Sequence, residues 1–161
     1  MKKNYSNIFS LCEKIIRKTV NSLRLGNIVA LPTETVYGLA GNAYSLKALK
    51  TIYKLKKRPK KNPLIIHYYN LKMAKNDVVL NDNFIKLYKK FCPGPITFVL
   101  KKNQKSKIKS LANANQDTVA IRFPNHRVIK SILKKINFPL AMPSANISSN
   151  LSPVSALDVF D

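Results

Sequence analysis

The sequence has few glycines, cysteines and histidines, and each scarcity excludes a class of site. Only four of the 161 residues are glycine, and they are too scattered to form a phosphate-binding loop or a dinucleotide-binding fingerprint. Cys12 and Cys92 stand far apart, with no Cys or His partner at metal-ligand spacing, so we predict free thiols. The only histidines are His67 and His126, and we expect no protein-bound transition metal.

Long apolar runs are also missing. No run approaches the roughly 20 residues that a membrane span requires. The N-terminus carries Lys2 and Lys3, as a signal peptide does, but polar residues and Glu13 interrupt the apolar segment that would have to follow. We therefore expect no membrane association and a cytoplasmic protein. The length and the 45% apolar fraction predict a single domain over residues 1–161.

Acidic residues are the scarcest charged group, seven against 29 basic residues, which gives a net charge of +22. Such a charge attracts phosphate-rich partners such as RNA. Most of the basic residues are lysines, and they accompany many Asn and Ile residues, a pattern that A/T-rich codons alone would produce. Two interpretations stay open: selected RNA affinity, or codon bias with solvated lysine faces.

Hydrophobic periodicity predicts helices and strands in irregular alternation. Helices are expected over residues 8–23, from the Ser45 cap to the basic turn at Lys56, over residues 82–91 and 125–136, and from Ser152 onward. Strands are expected over residues 27–31, 64–69, 96–100, 118–123 and 139–142, and the lysine-rich residues 101–117 are predicted to be a mobile loop. This order favours an α/β or α+β sandwich around a twisted mixed sheet.

Polar residues follow the predicted elements at three places. Thr33, Glu34 and Thr35 come directly after the first strand, where α/β sheets tend to place ligands, although a helix cap is an alternative. Lys56 and Arg58 lie in a turn directly after a predicted helix, which Pro59 and Pro63 close, and together they suit a triphosphate.

The third place is Ser144 and Asn146, beyond the last short strand, with Ser152 farther on. Their side chains could bind phosphate or ribose oxygens. Taken singly, the basic turn also fits a solvated surface and the Ser/Asn segment a plain turn.

Five segments together resemble the successive motifs of YrdC-like threonylcarbamoyl-adenylate synthases. They are PTETVYGL at residues 32–39, KKRP at 56–59 with NPLIIH at 62–67, PGPIT at 93–97, AIRFP at 120–124 and PSAN at 143–146. The resemblance spans residues 31–153. It implies a twisted mixed β-sheet with flanking helices and a basic concave cavity that holds threonine and ATP side by side.

The resemblance also implies roles for residues. The threonine-site residues would be Thr35, His67 and Arg122. The ATP-site residues would be Lys56, Arg58, Asn62, Thr118, Ser144, Asn146 and Ser152, and the catalytic group among them would be Lys56, Arg58, Ser144 and Asn146.

The implied activity is synthesis of threonylcarbamoyl-AMP from L-threonine, bicarbonate or CO2, and ATP, with release of pyrophosphate. ATP would be a substrate, carried in with Mg²⁺. The product would serve modification of tRNA beside the anticodon, through a downstream threonylcarbamoyl transferase complex.

The sequence departs from the family pattern at Lys57 and Ser149, where glycine is common, and it stops at Asp161, so we expect a short member that lacks the family's C-terminal segment. One alternative is a non-catalytic YrdC-like RNA-binding module or an inactive relic. Another is a carbamoyl-transfer domain of the hydrogenase-maturation kind, against which the lack of zinc-finger cysteines argues.

Overall fold

Six strands form one mixed sheet in the computed structural model, which describes residues 6–160. The basic N-terminal start considered above, within residues 1–5, and Asp161 lie outside the described residues. The strands are β1 (Val29–Pro32), β2 (Tyr37–Asn42), β3 (Ile66–His67), β4 (Thr97–Lys101), β5 (Thr118–Arg122) and β6 (Leu140–Ala141). Their order is β1-β2-β6-β3-β5-β4, and β3 pairs with β5 in parallel while the other neighbours are antiparallel. The predicted mixed α/β fold is confirmed.

Helices lie between and after these strands. They are α1 (Glu13–Arg24), α2 (Leu46–Leu55), α3 (Leu71–Ala74), α4 (Asp82–Phe91), α5 (Arg127–Leu133) and α6 (Ala156–Phe160). The predicted Ser45 cap is confirmed, since its hydroxyl accepts from the backbone N–H of Ala48 at 3.3 Å. The first helix begins at Glu13 rather than at residue 8, and the last begins at Ala156 rather than at Ser152. No helix in the described part of the chain has the length and apolarity that a membrane span needs.

Buried side chains pack on both faces of the sheet. On one face, α1 and α5 cover β1, β2 and β6 through residues such as Leu23, Ile129 and Leu140. On the other face, α2 and α4 cover the sheet through residues such as Ile52 and Phe84. Because successive residues of a strand point to opposite faces, Leu140 and its neighbour Ala141 belong to different cores. The helices α1 and α5 leave the β3–β5 half of their face open for the site described below.

The middle of the chain differs from the sequence-based expectation at two places. Strand β2 was not predicted, because two glycines and one alanine interrupt the apolar alternation on which strand prediction depends. The segment after β4 is a loop, as predicted, since residues 103–117 contain no helix or strand. It is packed on the protein, however, because Ile108 and Ala112 are buried in the core.

Asp77 explains how that lysine-rich segment is held. Its fully buried carboxylate accepts hydrogen bonds from the hydroxyls of Tyr44 (2.6 Å), Tyr68 (3.1 Å) and Ser106 (2.7 Å), and from the backbone N–H of Lys107 (3.2 Å). A buried carboxylate requires this many donors to offset its lost hydration. Burial and the neighbouring carboxylate raise the pKa of both tyrosines well above the usual value, so both remain donors at neutral pH.

Candidate active site

The turn between β1 and β2 is closed by one threonine side chain. The hydroxyl of Thr33 accepts from the backbone N–H groups of Thr35 and Val36, both at 3.2 Å, and donates to the carbonyl of Val36 at 2.7 Å. Such local hydrogen bonding is typical of Ser/Thr turns. The helix-cap alternative is therefore wrong, and the turn presents Glu34 and Thr35 to strand β5.

Arg122, the last residue of β5, is held by this turn. Its Nη2 donates to Oε1 of Glu34 at 2.9 Å and to Oγ1 of Thr35 at 3.3 Å. The second carboxylate oxygen of Glu34 accepts from the backbone N–H of Asn125 at 3.2 Å. The side chains of Arg122 and Glu34 are only 11% and 17% exposed, so the ion pair is shielded from water. Burial alone would raise the pKa of Glu34, but the hydrogen bond and charge of Arg122, with backbone amides, lower it overall, and the carboxylate is ionised.

His67 lies beside Arg122, paired with it in the parallel register of β3 and β5. Burial, followed by the charge of Arg122, lowers the pKa of His67 from 6.5 to about 4, so its imidazole is neutral at pH 7. Nδ1 of His67 and Nε of Arg122 are buried without a hydrogen-bond partner among the described residues. Unpaired buried polar atoms are uncommon, and here two of them lie on neighbouring residues of one site.

The C-terminus of α2 determines where Arg58 lies. The backbone N–H of Arg58 donates to the carbonyl of Tyr53 at 3.0 Å, and that of Lys57 donates to the carbonyl of Lys54 at 3.2 Å. These two bonds form a Schellman motif, which requires a left-handed residue, and Lys57 has a φ of 48°. Ser149, the other position where the sequence lacks the family's glycine, has a φ of 76°.

The Arg58 guanidinium is anchored by the next turn. Nε donates to the carbonyl of Asn62 at 3.1 Å, and Nη2 donates to the carbonyl of Pro63 at 2.9 Å. A guanidinium has five N–H groups, so others remain for a ligand. The proline-bounded basic turn therefore presents a fixed cation.

The segment after β6 lies against the start of β2. Two backbone hydrogen bonds, of 2.9 and 2.8 Å, join residues 37–39 to residues 143–145. Gly38 faces Ser144 in this pairing, and a Cβ added to Gly38 would lie 2.5 Å from Cγ of Met142. Only glycine allows this approach, which brings Ser144 to the site.

Lys56 lies behind this segment rather than in the open. Its side chain is buried, and its Nζ donates to the carbonyl of Ser144 at 2.6 Å and to that of Asn146. Its own backbone carbonyl accepts from the N–H of Ser148 at 2.9 Å. Burial, followed by the charge of Arg58, lowers the pKa of Lys56 to about 8. The Asn146 side chain donates to two carbonyls of its own loop, at 2.7 and 2.8 Å.

These elements enclose a cavity of about 280 Å³, which we call the central cavity. Its lining residues are Thr33, Thr35, Val36, Gly38, Arg58, Pro63, Ile65, His67, Arg122, Met142, Pro143 and Ser144. It therefore brings the three residues predicted for threonine together with Arg58 and Ser144 from the predicted ATP group. The guanidinium groups of Arg58 and Arg122 and the hydroxyls of Thr35 and Ser144 suit an anionic ligand with hydrogen-bonding groups.

Five of the predicted ATP-site residues lie outside the lining of the central cavity. Lys56 caps the C-terminus of α2 and donates to the loop that contains Asn146, and Asn62 and Ser152 are exposed. Thr118 lies four residues before Arg122 on β5, about 13 Å along the strand. Their roles stay predictions.

Two features of the site had no role in the sequence-based prediction. Glu34 was singled out only as a carboxylate near a strand end, and its pairing with Arg122 depends on a sheet order that no local pattern reveals. Gly38 carried no signal except its place in the motif at residues 32–39.

A second cavity lies between β1 and the helices α1, α5 and α6. It has a volume of about 540 Å³ and is lined mainly by apolar residues of α1, β1, α5 and α6, with His126 among them. Although it is larger, it contains few groups that could bind an anion. Among residues 6–160, no group of three or more His, Cys, Asp or Glu side chains is arranged to hold a metal ion.

Comparison with known proteins identifies the family of the chain. A Sua5/YciO/YrdC family model, described as "Telomere recombination", matches residues 21–161. That match covers most of the chain, and the chain belongs to the Sua5/YciO/YrdC family. The resemblance identified from the five motifs is therefore confirmed.

The chain is also similar to individual proteins of known name. The chain is 40% identical over 144 residues to threonylcarbamoyl-AMP synthase of Pyrococcus abyssi, and 38% identical over 135 residues to threonylcarbamoyl-AMP synthase of Bacillus subtilis. These alignments include 88% and 83% of this chain but only 41% and 39% of the relatives, so the chain spans about two fifths of their length. The crystal structure of P. abyssi Sua5 complexed with L-threonine superposes with a TM-score of 0.88 at 39% identity, over 94% of this chain and 44% of that one.

Proposed function

We propose that this protein synthesises threonylcarbamoyl-AMP from L-threonine, bicarbonate or CO2, and ATP, as the first step of a tRNA modification. The names of its relatives support the reaction. The observation that carries the proposal is the composition of the central cavity, whose lining includes Thr35, His67 and Arg122 together with Arg58 and Ser144.

The threonine half of the proposal depends on Arg122. Its guanidinium lines the central cavity. Nη2 donates to Glu34 and Thr35, whereas the buried Nε has no hydrogen-bond partner among residues 6–160. An amino-acid carboxylate is a suitable partner for a guanidinium edge. Thr35 would offer its hydroxyl to the same ligand, and neutral His67 would form a wall without adding charge.

The ATP half depends on Arg58 and Ser144. The carbonyls of residues 62 and 63 hold the Arg58 side chain before any ligand arrives, so little ordering is required when phosphates bind. Ser144, which also lines the central cavity, would contribute a hydroxyl. Asn62, Thr118, Asn146 and Ser152 would extend the nucleotide site beyond the central cavity, and magnesium would enter with ATP as part of the substrate.

The reaction would need positioning more than acid–base chemistry. The threonine amine attacks CO2 and loses a proton, which leaves a carbamate anion. A carbamate oxygen then forms a bond to the α-phosphorus of ATP, and the bond to the β-phosphate oxygen breaks, so pyrophosphate leaves with that electron pair. Arg58 would offset the charge that builds on the phosphates, which is how fixed cations accelerate such transfers.

The wider setting belongs to the same proposal. Residues 1–161 would act as one domain, the product would pass to a downstream transferase complex that modifies tRNA, and the reaction would take place in the cytoplasm. The +22 charge favours a second candidate, a YrdC-like RNA-binding module without catalysis. That module would bind RNA without forming pyrophosphate.

Pyrophosphate release separates the two candidates. The assay omits threonine, bicarbonate or ATP in turn, and a synthase requires all three. Arg58→Lys should lower the rate by about 100-fold or more, the scale of losing one preorganised donor, because an ammonium cannot reproduce the guanidinium geometry. Arg17→Lys, an exposed arginine 3.9 Å from Glu13, is the matched control and should keep the parental rate. Equal rates for both variants would remove Arg58 from the proposed site.

A further inference from the structure

The buried lysine at the end of α2 does not occupy the position expected of a phosphate ligand. Only 2% of the Lys56 residue surface is exposed, while Arg58, two residues later, is partly exposed and lines the central cavity. The two basic residues of the turn therefore differ in accessibility, although the sequence motif makes them look equivalent.

Lys56 binds the loop that carries Ser144 through three hydrogen bonds. Its Nζ donates to the carbonyls of Ser144 and Asn146, and its backbone carbonyl accepts from Ser148. Because Nζ contacts backbone atoms, it fixes the backbone path of residues 144–148 independently of their side chains. Charge-assisted bonds to carbonyls are stronger than neutral ones.

The opposite edge of the same loop is held independently. Backbone bonds join it to β2 through Leu39 and Ala145. If Lys56 were removed, that edge would remain attached, but residues 146–148 would lose their contacts with α2. Asn146 and the residues after it would then no longer have a fixed position relative to Arg58.

We propose that Lys56 is a positioning residue that holds residues 144–148 against α2, and that it does not contact the phosphates of ATP. Its effect on the proposed synthase reaction would pass through Ser144 and Asn146. The kinetic consequence rests on the proposed function, whereas the structural claim does not.

Amine labelling of the unmutated protein tests the claim without any substitution. The protein is treated with acetic anhydride near pH 8, and the labelling rate of each lysine is followed by mass spectrometry with and without ATP. Burial predicts that Lys56 is labelled at least tenfold more slowly than exposed Lys60, and at the same rate with ATP present. Fast labelling that ATP suppresses would identify a phosphate ligand and overturn the proposal.

Hydrogen exchange of the ligand-free protein provides the second test. Lys56→Met keeps an unbranched side chain of similar length and removes the donors. It should speed exchange of the Ser148 amide, which donates to the backbone carbonyl of residue 56, at least tenfold, while Ala145, bonded to β2, changes little. Lys60→Met is the matched surface control and should change neither. If Lys56→Met leaves exchange unchanged, whether or not ATP binding is lost, Lys56 does not hold this loop. Pyrophosphate release that is absent from the unmutated protein would instead refute the proposed function and leave both structural tests standing.

Discussion

Replacing Lys57 by glycine should stabilise the protein, because Lys57 occupies a backbone conformation that favours glycine. Its φ of 48° lies in the left-handed region, at the C′ position of the Schellman motif that ends α2. A left-handed conformation costs a residue with a Cβ about 1–2 kcal/mol, and replacement by glycine removes this cost. Glycine also gives the unfolded chain more conformational entropy, which lowers the stability by about 0.5–1 kcal/mol. We therefore expect the free energy of unfolding to rise by about 1 kcal/mol, which corresponds to about 2–4 °C in Tm for a chain of this size.

The same motif elsewhere in the chain supports the preference for glycine. Helix α1 ends with the same pair of hydrogen bonds, and there the left-handed position is Gly26, with a φ of 77°. Lys57→Ala is the control for the lost charge, since alanine keeps the Cβ. Lys54→Gly, inside α2, should destabilise by about 1 kcal/mol because glycine is a poor helix residue.

Urea denaturation of the four proteins measures the effect. Lys57→Gly should be more stable than both Lys57→Ala and the parent. The reasoning is refuted if Lys57→Gly is no more stable than Lys57→Ala, because the two differ only in the Cβ.

Three further predictions concern buried polar groups. The free energy of unfolding should fall by up to about 3 kcal/mol relative to His67→Gln as the pH drops from about 6.5 to about 4. The reason is that His67 binds a proton in the unfolded state over this range but not in the folded state. Parallel pH profiles of the two proteins would contradict this. Between pH 8 and 10.5, Lys56 is protonated in the unfolded state but has released its proton in the folded state, so the free energy of unfolding should rise with pH relative to Lys56→Met. A difference between the two proteins that does not change with pH would contradict this prediction. Asp77→Asn replaces a carboxylate oxygen by an NH2 group that faces other hydrogen-bond donors, and it should lower the free energy of unfolding by about 3 kcal/mol in urea denaturation. Asp82→Asn, at the exposed start of α4, is the control. An equal, small effect of both substitutions would show that the hydrogen bonds of Asp77 add little stability.

Local patterns predicted the elements whose periodicity is strong. Helices α2 and α4 and strands β4 and β5 were expected close to their observed bounds, because apolar residues recur along them at regular spacing. Strand β2 was missed because Gly38, Ala40 and Gly41 carry no strand signal. The buried segment around Ile108 was missed because lysines outnumber its few apolar residues.

Contacts between distant segments explain what was missed at the site. The ion pair of Glu34 with Arg122 joins residues far apart in sequence, and only the sheet order brings the β1–β2 turn beside β5. Lys56 looks like part of a solvated basic turn, and its burial is decided by a loop near the other end of the chain. The motifs could therefore predict which residues meet at the cavity, but not which of them face it.

Direct detection of the product tests the proposed function most sharply. The protein is incubated with L-threonine, ATP and ¹³C-labelled bicarbonate, and the nucleotides are analysed at once by mass spectrometry. The proposal predicts threonylcarbamoyl-AMP that carries one ¹³C atom, formed together with an equal amount of pyrophosphate and reduced about 100-fold in Arg58→Lys. A folded protein that binds ATP or RNA but forms no labelled adenylate would contradict the proposed synthase and favour the RNA-binding module.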